Sequence, residues 1–187
     1  MELIRYSAAA CQTDLPNPID RGQMRANTER MVSMIDSAVA GSAPFLEAAF
    51  PPGPAATPRW RIPFSHHPPY CAGPMHGNSK SSLQHLVPLY RRSGVRLVLS
   101  GHEHNFQHAR ADGIDYFVTG GGGKVRSGRP GKMTEAHTVS WAAACHFLLV
   151  QIDGATARVT PIGGDGRPLT LAGPDGGAAE ATTTLRL

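Results

Sequence analysis

The order of apolar and polar residues at the start of the chain predicts one strand followed by a helix. Residues 3–11 are mostly apolar and predict the strand, and apolar residues that recur every three or four positions over 22–40 predict the helix. Residues 43–50 predict a second, short helix that ends at the proline-rich run 51–54. The amino-terminal piece is therefore predicted to be a β-α unit.

Further strands and one helix are predicted in the middle of the chain. Residues 59–64 predict a strand, and residues 80–93 predict a helix in which Pro88 should cause a kink or an amino-terminal break. Residues 95–99 are nearly all apolar, which favours a strand buried on both faces. Residues 114–119 predict another strand, which runs into a stretch of four glycines.

Antiparallel structure is predicted towards the end of the sequence. Apolar and polar residues alternate after residue 144, and Asp153-Gly154 between two such runs predicts a hairpin. Residues 172–184 are small, mainly Ala, Gly and Thr, and predict a poorly ordered tail. The predicted fold class is thus α/β (α+β), with α/β order first and antiparallel strands last.

Composition and charge exclude several classes of protein. A length of 187 residues suggests one domain, and a formal net charge of +4 is too diffuse for a nucleic-acid surface. No apolar run has the length of a transmembrane helix, and residues 1–6 lack the basic-then-apolar order of a signal peptide. The three cysteines are widely spaced, without a CxxC motif. These features predict a cytoplasmic protein that binds neither nucleic acid nor membranes.

Histidine is the residue type whose distribution changes this picture. Seven of the nine histidines lie between residues 66 and 108. Imidazole is the commonest metal ligand in proteins and the usual acid-base group near neutral pH. The middle of the chain is therefore the predicted place of a metal or acid-base site.

Three of these histidines directly follow predicted strands. His102 and His104 come after strand 95–99, and in an extended chain residues two apart point to the same side. His66 follows strand 59–64, and the carboxyl ends of parallel neighbouring strands lie about 4.8 Å apart. The pattern predicts one metal ion held by three imidazoles, with a bound water whose pKa falls to about 7. The alternative is that the three are separate surface or core histidines.

Two histidine-containing segments, Trp60–Gly73 and Val95–Asn105, resemble the calcineurin-like metallophosphoesterases, and within that family the purple acid phosphatases. Further segments that fit the same family are 45–50, 86–90, Tyr116–Gly123 and His146–Val150. The resemblance covers about residues 45–165. It implies a β-sandwich with flanking helices that carries a two-metal site.

The resemblance also implies roles for individual residues. His66 and His102 correspond to ligands of the same metal ion, and His104 corresponds to a ligand of the other. His76 corresponds to a catalytic histidine that faces the substrate, where it binds phosphate or protonates the leaving group. Further residues that could contact the ligands or the substrate are His67, Asn105, Gly121, Gly122 and Lys124. For His67 a surface ring is an equal alternative.

The earlier ligand motifs of the family are absent from this chain. Its blocks DxH, GDxx(D/Y) and GNH(D/E) precede the matching region, and none occurs here, so the chain resembles the carboxyl-terminal half of a metallophosphoesterase. Residues 1–43 instead resemble the first strand and helix of the nitrilase (carbon–nitrogen hydrolase) superfamily, without its catalytic Glu, Lys or Cys blocks. The predicted organisation is a structural segment 1–43, a truncated phosphoesterase domain 44–171 and a tail 172–187.

Together these inferences predict a metal-dependent hydrolase of small phosphate esters. Three imidazoles suit zinc better than magnesium, with manganese or iron as alternatives, and one ion per chain is expected. Because the two-metal clamp is incomplete, phosphodiesters and phosphotriesters should be favoured over monoesters. The alternative function is that of an inactive metal-binding or structural fragment.

A homodimer is the predicted assembly. Half of a sandwich exposes an apolar face, and dimerisation commonly covers such a face. Pro63 lies inside the strand that leads to His66, and proline in a sheet is confined to edge strands and bulges. Strand 59–64 is therefore predicted to lie at a sheet edge.

Overall fold

Residues 60–78 and 83–187 are the part of the chain that the computed structural model describes. They belong to the compact unit Pro52–Leu187. The predicted strand and helices of residues 3–50 and the nitrilase-like segment 1–43 lie outside the described residues, and they stay predictions.

Ten strands make up most of the regular secondary structure in the described part of the chain. In chain order they are β1 (Phe64–Ser65), β2 (Leu97–Ser100), β3 (Phe106–Ala111), β4 (Ile114–Thr119), β5 (Thr138–Ala142), β6 (His146–Asp153), β7 (Thr156–Gly163), β8 (Leu171–Ala172), β9 (Ala178–Ala179) and β10 (Thr183–Arg186). Seven of them form one sheet in the order β1-β2-β4-β3-β5-β8-β9, and three form a second sheet in the order β10-β7-β6.

The strands that lead to the predicted site run parallel. Phe64 of β1 pairs with Leu99 of β2, and Leu97 of β2 pairs with Asp115 of β4, in both cases with parallel strands. The carboxyl ends of β1, β2 and β4 therefore lie along one edge of the seven-stranded sheet. Within the described part of the chain β1 is one of the two outermost strands of this sheet, as Pro63 predicts. It is much shorter than the predicted strand 59–64.

The remaining pairs of the seven-stranded sheet are antiparallel. β3 and β4 form a hairpin whose turn, Asp112-Gly113, has φ values of 54° and 76°. Two central residues with positive φ give the turn type whose twist matches that of the strands. Both β3 and β5 are absent from the sequence-based prediction.

The helix between β1 and β2 begins later than predicted. Gln84–Leu86 form a single 3₁₀ turn, and the α-helix α1 spans Val87–Arg92 with Pro88 in its first turn. Proline is tolerated there because the N–H that it lacks would have no partner within the helix. The predicted amino-terminal break at Pro88 is confirmed. In the described part of the chain, no helix has the length and apolar character needed to cross a bilayer.

One cluster of buried side chains draws on both sheets. Its members include Leu97, Phe106 and Phe117 from the larger sheet, and Val159 and Leu185 from the smaller one. Each such side chain contributes about 1.5–3 kcal/mol when it leaves water.

The end of the chain is more ordered than the sequence predicts. The predicted hairpin is confirmed between β6 and β7, with Gly154 and Ala155 in the turn, one residue later than Asp153-Gly154. The predicted poor order of residues 172–184 is wrong, because β9 and the start of β10 lie there. Leu185 of β10 is buried in the core between the two sheets, and β10 pairs with β7. These two interactions order the segment although most of its residues are small.

Candidate metal centre

The ends of β1 and β2 bring two separated parts of the sequence together. The Leu99 N–H donates to the Pro63 carbonyl at 3.0 Å, and the Gly101 N–H donates to the His66 carbonyl at 3.1 Å. These bonds continue the parallel pairing one residue beyond the strands. As a result His66 and His102 are held side by side at the carboxyl edge of the sheet, where ligands of α/β sheets collect.

Four imidazole rings meet at this edge. His102 Nδ1 lies 3.1 Å from His66 Nε2, and the ring centroid of His102 lies 4.1 Å from that of His67 and 4.0 Å from that of His76. Ligand atoms of His66, His67 and His102 all lie within 4.8 Å of one another. This histidine cluster, His66, His67 and His102, is a group that could hold a metal ion, and His76 lies beside it.

His104 does not join the histidine cluster. The chain at this point is not extended: His102 has a φ of 66°, and the Glu103 N–H donates to the Gly101 carbonyl at 2.9 Å. The expectation that His102 and His104 share one side assumes an extended backbone, which the chain does not have at His102. His104 Nδ1 is buried without a hydrogen-bond partner in the described structure.

Burial and the nearby rings favour the uncharged form of two members of the cluster, His67 and His102. Burial, the largest cause, lowers the pKa of His102 to about 4 together with the neighbouring rings of His67, His76 and His66 and with Arg126. Burial also lowers the pKa of His67, with contributions from His66 and His76. A metal ion binds the neutral form of imidazole, so His67 and His102 favour the form that binds metal.

Glu103, between the two sequence-predicted ligands His102 and His104, is fully buried. Its Oε2 accepts the N–H of His76 at 2.9 Å, and Arg126 Nη1 lies 3.7 Å from its Oε1. The Arg126 N–H donates to the His104 carbonyl at 2.9 Å. The sequence did not predict the burial of Glu103, since nothing in the chain order marks a charged residue between two histidines as buried.

The other candidate contact residues fall into two groups. Asn105 is buried, and its Oδ1 accepts from Gln107 Nε2 at 2.8 Å, so it belongs to the hydrogen bonding beneath the site. Gly121 is buried against Ala144 and His146, while Gly122 and Lys124 are exposed.

The fold is similar to part of a known phosphatase structure. Purple acid phosphatase PPD1 from yellow lupin (Lupinus luteus) seeds matches with a TM-score of 0.50 and 14% identity, over 68% of this chain and 25% of that chain. GAP50, the anchor in the inner membrane complex of Plasmodium, matches with a TM-score of 0.50 and 15% identity, over 82% of this chain and 43% of that chain.

Sequence similarity points to the same group of proteins. Purple acid phosphatase 3 of Arabidopsis thaliana is 33% identical over 104 residues, which are 54% of this chain and 28% of the relative. Purple acid phosphatase 17 of the same plant is 33% identical over 72 residues, 37% of this chain and 21% of the relative. No family model matches the chain.

These similarities confirm the predicted fold class, a mixed but mainly β structure like part of a purple acid phosphatase. The chain spans only about a quarter of the length of these curated relatives.

Proposed function

We propose that this protein is a metal-dependent phosphoesterase whose metal ion is held by His66, His67 and His102. The observation that carries the proposal is the meeting of these three imidazoles, with His76 beside them, at the carboxyl ends of the parallel strands. The similarity to purple acid phosphatases supports the same reaction class.

The donor set fits one divalent transition metal ion per chain. All three donors are ring nitrogens, which suit zinc, with manganese or iron as alternatives, better than they suit magnesium. In this proposal His67 takes the place that the sequence assigns to His104. When bound, the metal supplies Lewis-acid activation of water and of a phosphoryl oxygen.

His76 is the residue proposed to act on the substrate. The centroid of its ring lies 4.0 Å from that of His102, with the two planes tilted by 40°, and its main-chain N–H donates to Glu103. From this position it can donate a hydrogen bond to a phosphoryl oxygen or a proton to the leaving oxygen. The Arg126 guanidinium adds positive charge on the same side of the site, close to Glu103.

A preference for phosphodiesters and phosphotriesters is part of the proposal. The cluster contains no carboxylate ligand, so only one cation is expected to face the phosphoryl group. A monoester dianion needs more positive charge for its stabilisation than a diester or a triester does.

The alternative function is a metal-binding fragment without turnover. It is favoured by one specific observation, that the chain spans only about a quarter of the length of the relatives that it matches. Metal binding and hydrolysis must therefore be measured separately.

The experiment measures zinc content and hydrolysis of bis(4-nitrophenyl) phosphate, with and without a chelator. The wild type should bind about one zinc ion per chain and lose activity with the chelator. His102→Ala should lose the metal, and His76→Ala should keep the metal but lose turnover. His85→Ala removes an exposed imidazole elsewhere and serves as the matched control.

Equal zinc content in the wild type and His102→Ala would contradict the proposed centre. Zinc binding by the wild type without hydrolysis of any ester would instead support the alternative function.

A further inference from the structure

A buried carboxylate beside the site lacks an ordinary structural explanation. Glu103 is 0% exposed, yet its carboxylate accepts a single hydrogen bond, and its other oxygen has Arg126 Nη1 only at 3.7 Å. Oε1 of Glu103 and Nη1 of Arg126 are both buried without a hydrogen-bond partner in the described structure. Such burial costs several kcal/mol unless the charge is well paired. An apolar residue would fill this space more stably.

The space around Glu103 is shaped by two glycines. A Cβ atom on Gly73 would overlap the side chain of Glu103, and a Cβ atom on Gly120 would overlap its main-chain carbonyl. One glycine belongs to the segment before His76 and the other follows β4. Gly73 thus closes in on the Glu103 side chain, and Gly120 closes in on the main chain of the same residue, which limits how the carboxylate can be placed.

That direction is towards the main chain of His76. The Glu103 carboxylate accepts the His76 N–H at 2.9 Å, and the Cys71 thiol donates to the His76 carbonyl at 2.9 Å. His76 lies in no helix or strand that could hold these groups. Two buried side chains, one on each side, therefore hold the peptide groups of a residue in an irregular loop.

We propose that Glu103 is a positioning residue that fixes the His76 imidazole over the histidine cluster through the His76 N–H. The inference rests on the proposed function for its catalytic consequence. Its structural claim, that the carboxylate holds this loop, does not depend on bound metal. A ring that is displaced by about 1 Å from its productive position can cost up to about 100-fold in rate.

Two conservative variants separate the hydrogen bond from the charge. Glu103→Gln keeps an oxygen acceptor at the same reach and removes the charge. Glu103→Asp keeps the charge but is one methylene too short to reach the His76 N–H. If the hydrogen bond is what matters, Glu103→Gln should behave like the wild type, and Glu103→Asp should be defective.

The first measurement is hydrogen exchange of the metal-free protein, which needs no catalytic activity. We expect the His76 amide to exchange at least about tenfold faster in Glu103→Asp than in the wild type or Glu103→Gln, while β3 and β4 keep their protection. Unchanged exchange at His76, or equally faster exchange throughout β3 and β4, would overturn the proposal, because the latter reports a general loss of stability.

The second measurement is the kinetics of the zinc-loaded protein. We expect Glu103→Asp to lower kcat about tenfold or more while KM and zinc affinity change less than about threefold. The opposite order, with Glu103→Gln defective and Glu103→Asp normal, would show that the pairing with Arg126 matters instead. A wild type that neither binds zinc nor hydrolyses esters would remove the proposed function, yet the exchange experiment would still test the placement of His76.

Discussion

His146 is a buried histidine whose two ring nitrogens have assigned roles. Nδ1 donates to the Ala144 carbonyl at 2.9 Å, so Nε2 is the unprotonated nitrogen that accepts from the Thr119 hydroxyl at 3.1 Å. A protonated ring would carry a hydrogen on Nε2 as well, and the Thr119 hydroxyl would then have to rotate and act as the acceptor. The neutral ring makes both contacts as they stand. Burial lowers the pKa of His146 below its ordinary value of 6.5.

This arrangement predicts a pH-dependent stability. Below about pH 6.5 the unfolded chain protonates His146 while the folded protein resists, so the unfolded state binds more protons and the free energy of unfolding falls. His146→Gln should weaken this dependence. Urea unfolding of the metal-free protein at about pH 7.5 and 5.5 measures the effect. The same loss of stability in the variant and the wild type would contradict the assignment.

Individual site residues differ in how far the sequence could predict them. Two parallel strands fix the positions of His66 and His102, and the loop after β1 carries His76. These three rings lie close together. His104 does not join them, since the positive φ of His102 is a local backbone choice that the residue type hardly signals. The burial of Glu103 depends on Gly73 and Gly120 approaching from separate segments, which a single sequence does not specify.

At the scale of elements, the glycine run after β4 has two different halves. A Cβ atom on Gly120 would overlap the main chain of Glu103, and one on Gly121 would lie 2.8 Å from the Ala144 carbonyl oxygen. Gly123 faces open space. The first half of the run is therefore required by close packing, and the last position has no such requirement.

We predict that Gly120→Ala destabilises the protein by about 1–3 kcal/mol, because a main-chain carbonyl cannot move aside as a flexible side chain can. Gly123→Ala is the matched control and should stay within about 0.5 kcal/mol of the wild type. The urea unfolding midpoint measures both. Equal stability of the two variants would mean that the close approach at Gly120 does not constrain the fold.

Elements with a clear apolar pattern were predictable from the sequence, and mixed ones were not. β2 and β4 are apolar runs, and the β6–β7 hairpin has both alternation and a turn signal. β3 carries Gln107, His108 and Arg110, yet most of its residues are buried. His108 is accommodated by hydrogen bonding to Asp115 at 2.6 Å and by stacking on Phe117. These partners lie on β4 and allow a polar segment to be a buried strand. In the sequence next to β3, only the Asp112-Gly113 turn indicates that a strand is there.

At the scale of the whole molecule, two aromatic side chains lie exposed on outermost strands of the described sheets. Phe64 of β1 is 72% exposed beside the histidine cluster, and Phe147 of β6 is 58% exposed on the smaller sheet. Both strands are outermost in the described part of the sheets. An outermost strand with an exposed aromatic residue is suited to pairing with another chain.

We predict a homodimer that forms along β1, so that two histidine clusters lie near the interface. Sedimentation velocity should give twice the mass of one chain for the wild type. Phe64→Glu should shift the protein towards monomer, while Phe147→Glu, a matched change on the smaller sheet, should leave the dimer intact. A monomeric wild type, or dissociation by Phe147→Glu alone, would contradict this assembly.

The enclosure of Glu103 also limits the order in which mutations can accumulate. An alanine at position 73 collides with the Glu103 side chain. A lineage can therefore accept Gly73→Ala only after residue 103 has become shorter. Once position 73 has gained a methyl group, restoring the glutamate is blocked. Loss of this carboxylate would therefore be hard to reverse once position 73 has changed. At position 120 the collision is with the main chain of Glu103, so no change of the side chain at 103 relieves it.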